Sequence, residues 1–140
     1  MTVLPIAGGC LCGAVRFEID AEPMAARTCW CRLCQYIGGG TAQVNICFPA
    51  DKIAMTGELR IYESVADSGN VMQRGFCPTC GTPVTSAATS RPHLMFIRAG
   101  TLDDPNLMGP QATIWTEAAP HWALISEDIP SYPAQIPPVA

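Results

Sequence analysis

The stretch LCGAVRFEID, Leu11 to Asp20, alternates. Leu11, Val15, Phe17 and Ile19 fall on one parity, and Cys12, Arg16, Glu18 and Asp20 on the other. That is the pattern of a strand with one buried face. Cys10, immediately upstream, shares the parity of Cys12, so a strand aims both thiols the same way. A strand period and a thiol pair on one segment together point to a β-rich protein organised around cysteine sites.

The rest of the chain has the same texture. TAQVNICF (Thr41–Phe48) predicts a second strand, with Val44, Ile46 and Phe48 inward and Gln43, Asn45 and Cys47 opposite. KIAMTGELRIYES predicts two short strands around a turn at Thr56–Gly57. VMQRGF, TPVTSA, HLMFIRAG and ATIWTE are further strands, with turns at Asp103–Asp104–Pro105 and at Pro120. One or two helical turns are expected from Cys31 to Ile37, ended by Gly38. Twelve glycines and thirteen prolines punctuate 140 residues, which favours strands and turns over long helices. With no internal repeat and no linker, residues 1–140 read as a single mostly-β domain. The last ten residues, SYPAQIPPVA, read as an extended strap or a loose end.

Charge narrows the function. Only 14% of residues are charged and the net charge is −4, against a usual charged fraction of about a quarter. Lys52 is the only lysine and the arginines are spread along the chain, so nucleic-acid binding has no electrostatic support. The opening MTVLPIAGGC lacks a positive region and a long apolar run, and no segment is long and apolar enough to span a bilayer. The expectation is a soluble cytoplasmic protein with no nucleic-acid or membrane partner.

In a reducing compartment, eight cysteines point to metal or redox chemistry. Seven are clustered: C-x-C at Cys10 and Cys12, C-x-C-x-x-C at Cys29, Cys31 and Cys34, and C-x-x-C at Cys77 and Cys80. FCPTCGT (Phe76–Thr82) has the chemistry of a zinc knuckle. Pro78 fixes φ, and Gly81 permits φ > 0, so that backbone N–H groups face the sulfurs. A knuckle supplies two ligands; Cys10 and Cys12 offer the other two, closing a structural four-thiolate tetrahedron. A redox dithiol is the competing reading of C-x-x-C, but its usual strand–helix setting is missing.

Cys29, Cys31 and Cys34 leave an odd number. Cys31 and Cys34 share a face of the short helix, and Cys29 can fold back toward them. Three protein ligands with an open fourth position is the pattern of catalytic zinc. The alternative closes the site with Cys47, His93 or His121 and makes it structural. Trp30 and Leu33 read as packing residues. Gly38–Gly40 is either a flexible turn or a place for close backbone approach to a ligand. Trp115 and Trp122 read as core aromatics before they read as pocket walls.

Taken in order, these motifs resemble the family of glutathione-dependent formaldehyde-activating enzymes, whose relatives include centromere protein V. The resemblance runs through GGCLCGAVRFEI, CWCRLCQYIGG, SGNVMQRGFCPTCGTPV, IRAGTLDDP and the late HW pair, and so covers nearly the whole chain. It implies a β-tent fold of twisted antiparallel sheets around a structural zinc held by Cys10, Cys12, Cys77 and Cys80. It implies a second, catalytic zinc on Cys29, Cys31 and Cys34 with an exchangeable fourth ligand. It implies a carbon–sulfur lyase type of reaction joining glutathione or a related thiol to formaldehyde or a related small aldehyde. Ser68, Gln73 and Arg74, just ahead of the knuckle, are then candidate contacts for glutathione. One departure is visible: Trp30 stands where the family commonly has histidine, which bears on the pocket wall and not on the ligands. A non-catalytic zinc-stabilised module that binds a thiol or a protein partner is the alternative function.

Overall fold

The computed structural model describes residues 2–139; Met1 and Ala140, the two ends of the predicted domain, lie outside the described residues. The described strands form two sheets. The smaller joins β1 (Ile6–Gly9), β2 (Arg16–Ile19) and β5 (Ile53–Thr56) in the order β1-β2-β5. The larger has seven strands: β3 (Ala25–Cys29), β4 (Gln43–Pro49), β6 (Arg60–Val65), β7 (Val71–Phe76), β8 (Pro83–Ala88), β9 (Leu94–Arg98) and β10 (Ala112–Ile114). Their order is β10-β3-β4-β9-β8-β7-β6. Every pair is antiparallel except β10 with β3. The one α-helix among the described residues, α1 (Arg32–Ile37), connects β3 toward β4. A mostly-β chain with a single short helix is what the strand-period segments and scattered glycines predict.

The core lies between the sheets. Ile6, Val15, Phe17 and Ile19 from the small sheet and its turn pack with Ala26, Ile46, Phe48 and Ile97 from the large one. Burying side chains of this size contributes about 1.5–3 kcal/mol each. The small sheet lies so close to the turn after β9 that a Cβ on Gly8 would sit 2.3 Å from the carbonyl oxygen of Thr101. Only glycine fits there.

The other face of the large sheet is not core. Cross-strand partners share a face, and the register lines up two rows there. One runs Arg27, Asn45, Arg98. The next runs Ala25, Cys47, Phe96, Ser86, Arg74, Tyr62. Polar and cationic side chains thus gather on the face turned away from the small sheet.

The structure amends one strand and adds detail to the others. The strand predicted from Leu11 shrinks to Arg16–Ile19, because Leu11–Val15 form the turn between β1 and β2. Cys10 and Cys12 therefore sit at a turn with Gly13 at φ +82°, and Leu11 is 89% exposed. β5 and β6 do flank Thr56–Gly57 but belong to different sheets. The short β1 and β3, IAGG and AARTC, were not predicted; small residues blur their alternation. The C-terminal segment is a strap. Thr113 N–H donates to Pro130 O at 2.9 Å, and Tyr132 N–H donates to Thr113 O at 2.8 Å. Among the described residues no helix is long and apolar enough to cross a membrane.

Candidate metal centre

Seven cysteines form two groups of sulfurs, each group lying within 4.8 Å. The first is Cys10, Cys12, Cys77 and Cys80, and it joins the β1–β2 turn of the small sheet to the β7–β8 turn of the large one. Local backbone geometry makes each half. Gly81 takes φ +77°, as the knuckle predicts, and its N–H closes on the carbonyl oxygen of Cys77 at 2.8 Å rather than on a sulfur. Opposite, Val15 N–H donates to Cys10 Sγ at 3.2 Å. Thr82 links the halves: its Oγ1 is 3.1 Å from Cys80 Sγ and accepts from Leu11 N–H at 3.1 Å. That hydroxyl, with the N–H groups of Thr82 and Cys12, holds the Cys80 thiol down to about 5.

The spacing suits a tetrahedral metal. Zinc–sulfur bonds of about 2.3 Å in a regular tetrahedron place sulfurs about 3.8 Å apart. Cys10 and Cys12 sulfurs are 3.6 Å apart, and Cys12 and Cys77 sulfurs 3.8 Å. A disulfide needs about 2.05 Å.

The second group is Cys29, Cys31 and Cys34, all buried. Cys29 ends β3, Cys31 caps α1 and Cys34 lies one turn in, so strand end and helix start focus three thiols on one point. Cys31 Sγ accepts from Cys34 N–H at 3.4 Å. The thiols of Cys29 and Cys34, and then the N–H groups of Cys34 and Leu33, hold Cys31 down to about 3. Cys29, donating to that sulfur, is pushed up. Full ionisation of three buried neighbouring thiols requires a cation, and the donor set fits a soft divalent metal such as zinc. Among the described residues no fourth His, Cys, Asp or Glu joins the group. Cys47 is fully buried in the sheet between Ala25 and Phe96, and His93 and His121 are exposed elsewhere.

The loop that shapes this group is tied down by Gln35. Its Nε2 donates to Trp30 O at 2.8 Å and to Ala118 O at 3.0 Å. Trp30 is buried and meets Trp122 edge-on at 6.4 Å. Gly38 N–H closes on Cys34 O at 2.8 Å, so the Gly38–Gly40 run terminates α1, and no glycine of it reaches the cavity.

The three cysteines line an open-sided cavity of about 140 Å³ on the polar face of the large sheet. Arg74 and Ser68 line it too, Arg74 from β7 and Ser68 from the β6–β7 turn. Gln73 points to the opposite face, where its Nε2 meets Glu63 Oε2 at 3.2 Å, and the structure does not bring it to the cavity. Trp115 is both a cavity wall and a packing residue, partly buried against Cys29, Cys31, Cys34 and Ile114, with Nε1 donating to Gln135 Oε1 at 2.9 Å; Trp122 is 66% exposed and is not a core aromatic. Three arginines escaped the sequence reading: Arg27, Arg91 and Arg98. Arg27 shares the parity of Cys29 on β3, a strand whose alternation the small residues blur. Arg98 is 4% exposed, gives Nη1 to Asn45 Oδ1 at 2.6 Å and has no partner for Nε. Burial pushes its pKa down, and the neighbouring charge of Cys34 works against that shift.

Fold and site together define a small mostly-β protein with a closed four-thiol centre and an open three-thiol centre beside a cationic cavity. The model of the glutathione-dependent formaldehyde-activating enzyme family matches residues 5–118, and the chain belongs to that family. A curated protein of Halomonas elongata, described provisionally as a glutathione-dependent formaldehyde-activating enzyme, is 28% identical over 124 residues, covering 84% of this chain and 79% of its own. The crystal structure of a Rhodobacter sphaeroides protein aligns with a TM-score of 0.59 at 21% identity, over 90% of this chain and 99% of that one. That last likeness concerns the fold alone.

Proposed function

We propose that this protein is a zinc-dependent enzyme that joins a small thiol, glutathione or a relative, to formaldehyde or another small aldehyde, and that in reverse it is a carbon–sulfur lyase. The observation that carries this reading is the three-thiol group with no fourth His, Cys, Asp or Glu among the described residues, opening onto a cavity. A closed set would read as structural; an incomplete one leaves a position for substrate.

Cys10, Cys12, Cys77 and Cys80 would hold one zinc and tie the two sheets together. Cys29, Cys31 and Cys34 would hold the second, which when bound supplies a Lewis acid that lowers the pKa of a thiol at neutral pH. In the reaction the thiol sulfur attacks the carbonyl carbon. A carbon–sulfur bond forms, the carbonyl π bond opens, and the thiol proton ends on the new hydroxyl. The protein's own part is positioning. Gln35 and α1 fix the three sulfurs, and Arg98 sets a buried positive charge beside them. Arg74 and Ser68 line the cavity as contacts for the thiol's polar groups; Gln73 has no part in this proposal. Confinement of both reactants makes the encounter effectively intramolecular. The unpaired state of all eight cysteines suits a reducing, cytoplasmic setting.

Exchange NMR of glutathione and formaldehyde tests it. The metal-loaded protein is expected to accelerate S-(hydroxymethyl)glutathione formation, and Cys34→Ser to abolish the acceleration. An exchange rate the same with and without protein sinks the proposal.

A further inference from the structure

The cavity draws four of the chain's seven arginines, Arg27, Arg74, Arg91 and Arg98, but only one acidic residue, Asp67. In a chain of net charge −4 this is a local reversal of sign. The ion pair among the described residues, Arg16 with Asp103, lies outside the cavity, so among the described residues none of the four has a carboxylate partner there. Each rests instead on a neutral acceptor. Arg74 Nη1 donates to Ser64 Oγ at 2.5 Å, and Arg98 Nη1 to Asn45 Oδ1. Arg27 Nη2 donates to Pro137 O at 3.2 Å, and Arg91 Nη2 donates to Val139 O.

Their placements divide their roles. Arg98 is buried, is held by Asn45 and lines the cavity together with Cys29, Cys31 and Cys34. Arg74 is tied to a side chain of the neighbouring strand. Arg27 and Arg91 are only half-buried, and both reach backbone carbonyls of the C-terminal strap, whose Pro138 and Val139 also line the cavity. A guanidinium has five N–H donors in a fork that matches a carboxylate, and one carbonyl leaves most of them free.

We propose that Arg27 and Arg91 are specificity-determining residues that select a thiol bearing carboxylates, the strap carbonyls of Pro137 and Val139 holding the two guanidiniums at the cavity until carboxylates replace them. This rests on the reading of the cavity as a thiol site and adds which residues of this chain read the thiol's carboxylates.

Calorimetry on the zinc-loaded protein tests it with three probes: glutathione, its diethyl ester and S-methylglutathione. Glutathione is expected to bind at least about tenfold more tightly than the diester, because two charge-assisted contacts are lost on esterification. Arg27→Gln and Arg91→Gln should each cut that preference severalfold while leaving zinc content and diester affinity unchanged. Arg91 lies in a turn outside the strands, so its variant carries the test if Arg27→Gln folds poorly. Equal affinity for glutathione and diester overturns the proposal; if glutathione still outbinds S-methylglutathione, the thiol reading stands without it. A preference that persists in both variants overturns the assignment to these arginines. No binding of glutathione at all overturns both readings.

Discussion

Gln35 donates its side-chain amide to the carbonyl oxygen of Trp30 at 2.8 Å, and this buried contact holds the bend that separates Cys29 from Cys31. The same Nε2 reaches Ala118 O, and Gln35 Oε1 accepts from Arg32 Nη1. One side chain thereby fixes the first turn of α1 against the end of β3 and against the segment after β10.

Gln35→Leu should uncouple site geometry from fold. It strands two carbonyl oxygens, at a cost of about 1–3 kcal/mol, and frees the Trp30 bend. The expected protein is folded, melts earlier and retains one zinc instead of two. Metal analysis beside a thermal melt checks this; full occupancy at both sites would show that the cysteines hold their geometry without Gln35.

Cys77→Ser and Cys34→Ser should fail differently. The first breaks a centre joining two sheets across 65 residues of chain, from Cys12 to Cys77. Structural zinc contributes about 10–16 kcal/mol in finger peptides, against a domain stability of about 5–15 kcal/mol. Insoluble or molten protein is expected. Cys34→Ser touches a centre whose ligands span one short segment, so a folded, one-zinc, inactive protein is expected. Circular dichroism and metal content separate the cases, and the reverse pattern would exchange the two roles.

Cys47→Ala should retain both metals and full activity. Burial pushes the Cys47 thiol up to about 11, with Arg27 and Arg91 opposing the shift. In the folded wild type it should also resist iodoacetamide at pH 8, as mass spectrometry of partial digests would reveal. Loss of the second zinc in Cys47→Ala would make it the missing ligand.

The Arg16–Asp103 pair gives a pH signature. Arg16 donates to both Asp103 oxygens, at 3.0 and 2.5 Å, and holds its carboxyl below the ordinary 3.8. A depressed folded pKa means that the contribution is complete above the ordinary value and is lost as pH falls through the depressed one. Asp103→Asn should therefore lower stability slightly at neutral pH and not at all in strong acid. Both partners are about half exposed, so the difference should shrink in high salt. Urea titrations across pH check it; a gap that widens on acidification would assign the wrong sign.

The local features were legible from the sequence because their causes are local. Cys77 and Cys80 with Gly81 make a knuckle through one turn of backbone. Cys31, Cys34 and Gly38 set a six-residue helix, and alternation located β4, β7, β8 and β9. Even the union of Cys10 and Cys12 with Cys77 and Cys80 followed, since two thiol pairs complete one tetrahedron. The turn at Leu11–Val15 was missed because alternation continues through it while Gly13, with φ > 0, bends the chain.

What only the tertiary structure decided is which faces meet. A period of two says that Arg74 and Gln73 point apart, but not which of them looks at Cys34. That depends on β7 pairing with β8, β8 with β9, β9 with β4 and β4 with β3, long-range contacts that no local window contains. The same pairings gather arginines from positions 27, 74 and 98 on one face, and the strap then reaches Arg27 and Arg91. Cysteine spacing carries the metal chemistry because a metal needs donors a few ångströms apart; a substrate's recognition is spread over a sheet, and its residues become neighbours only when the strands pair.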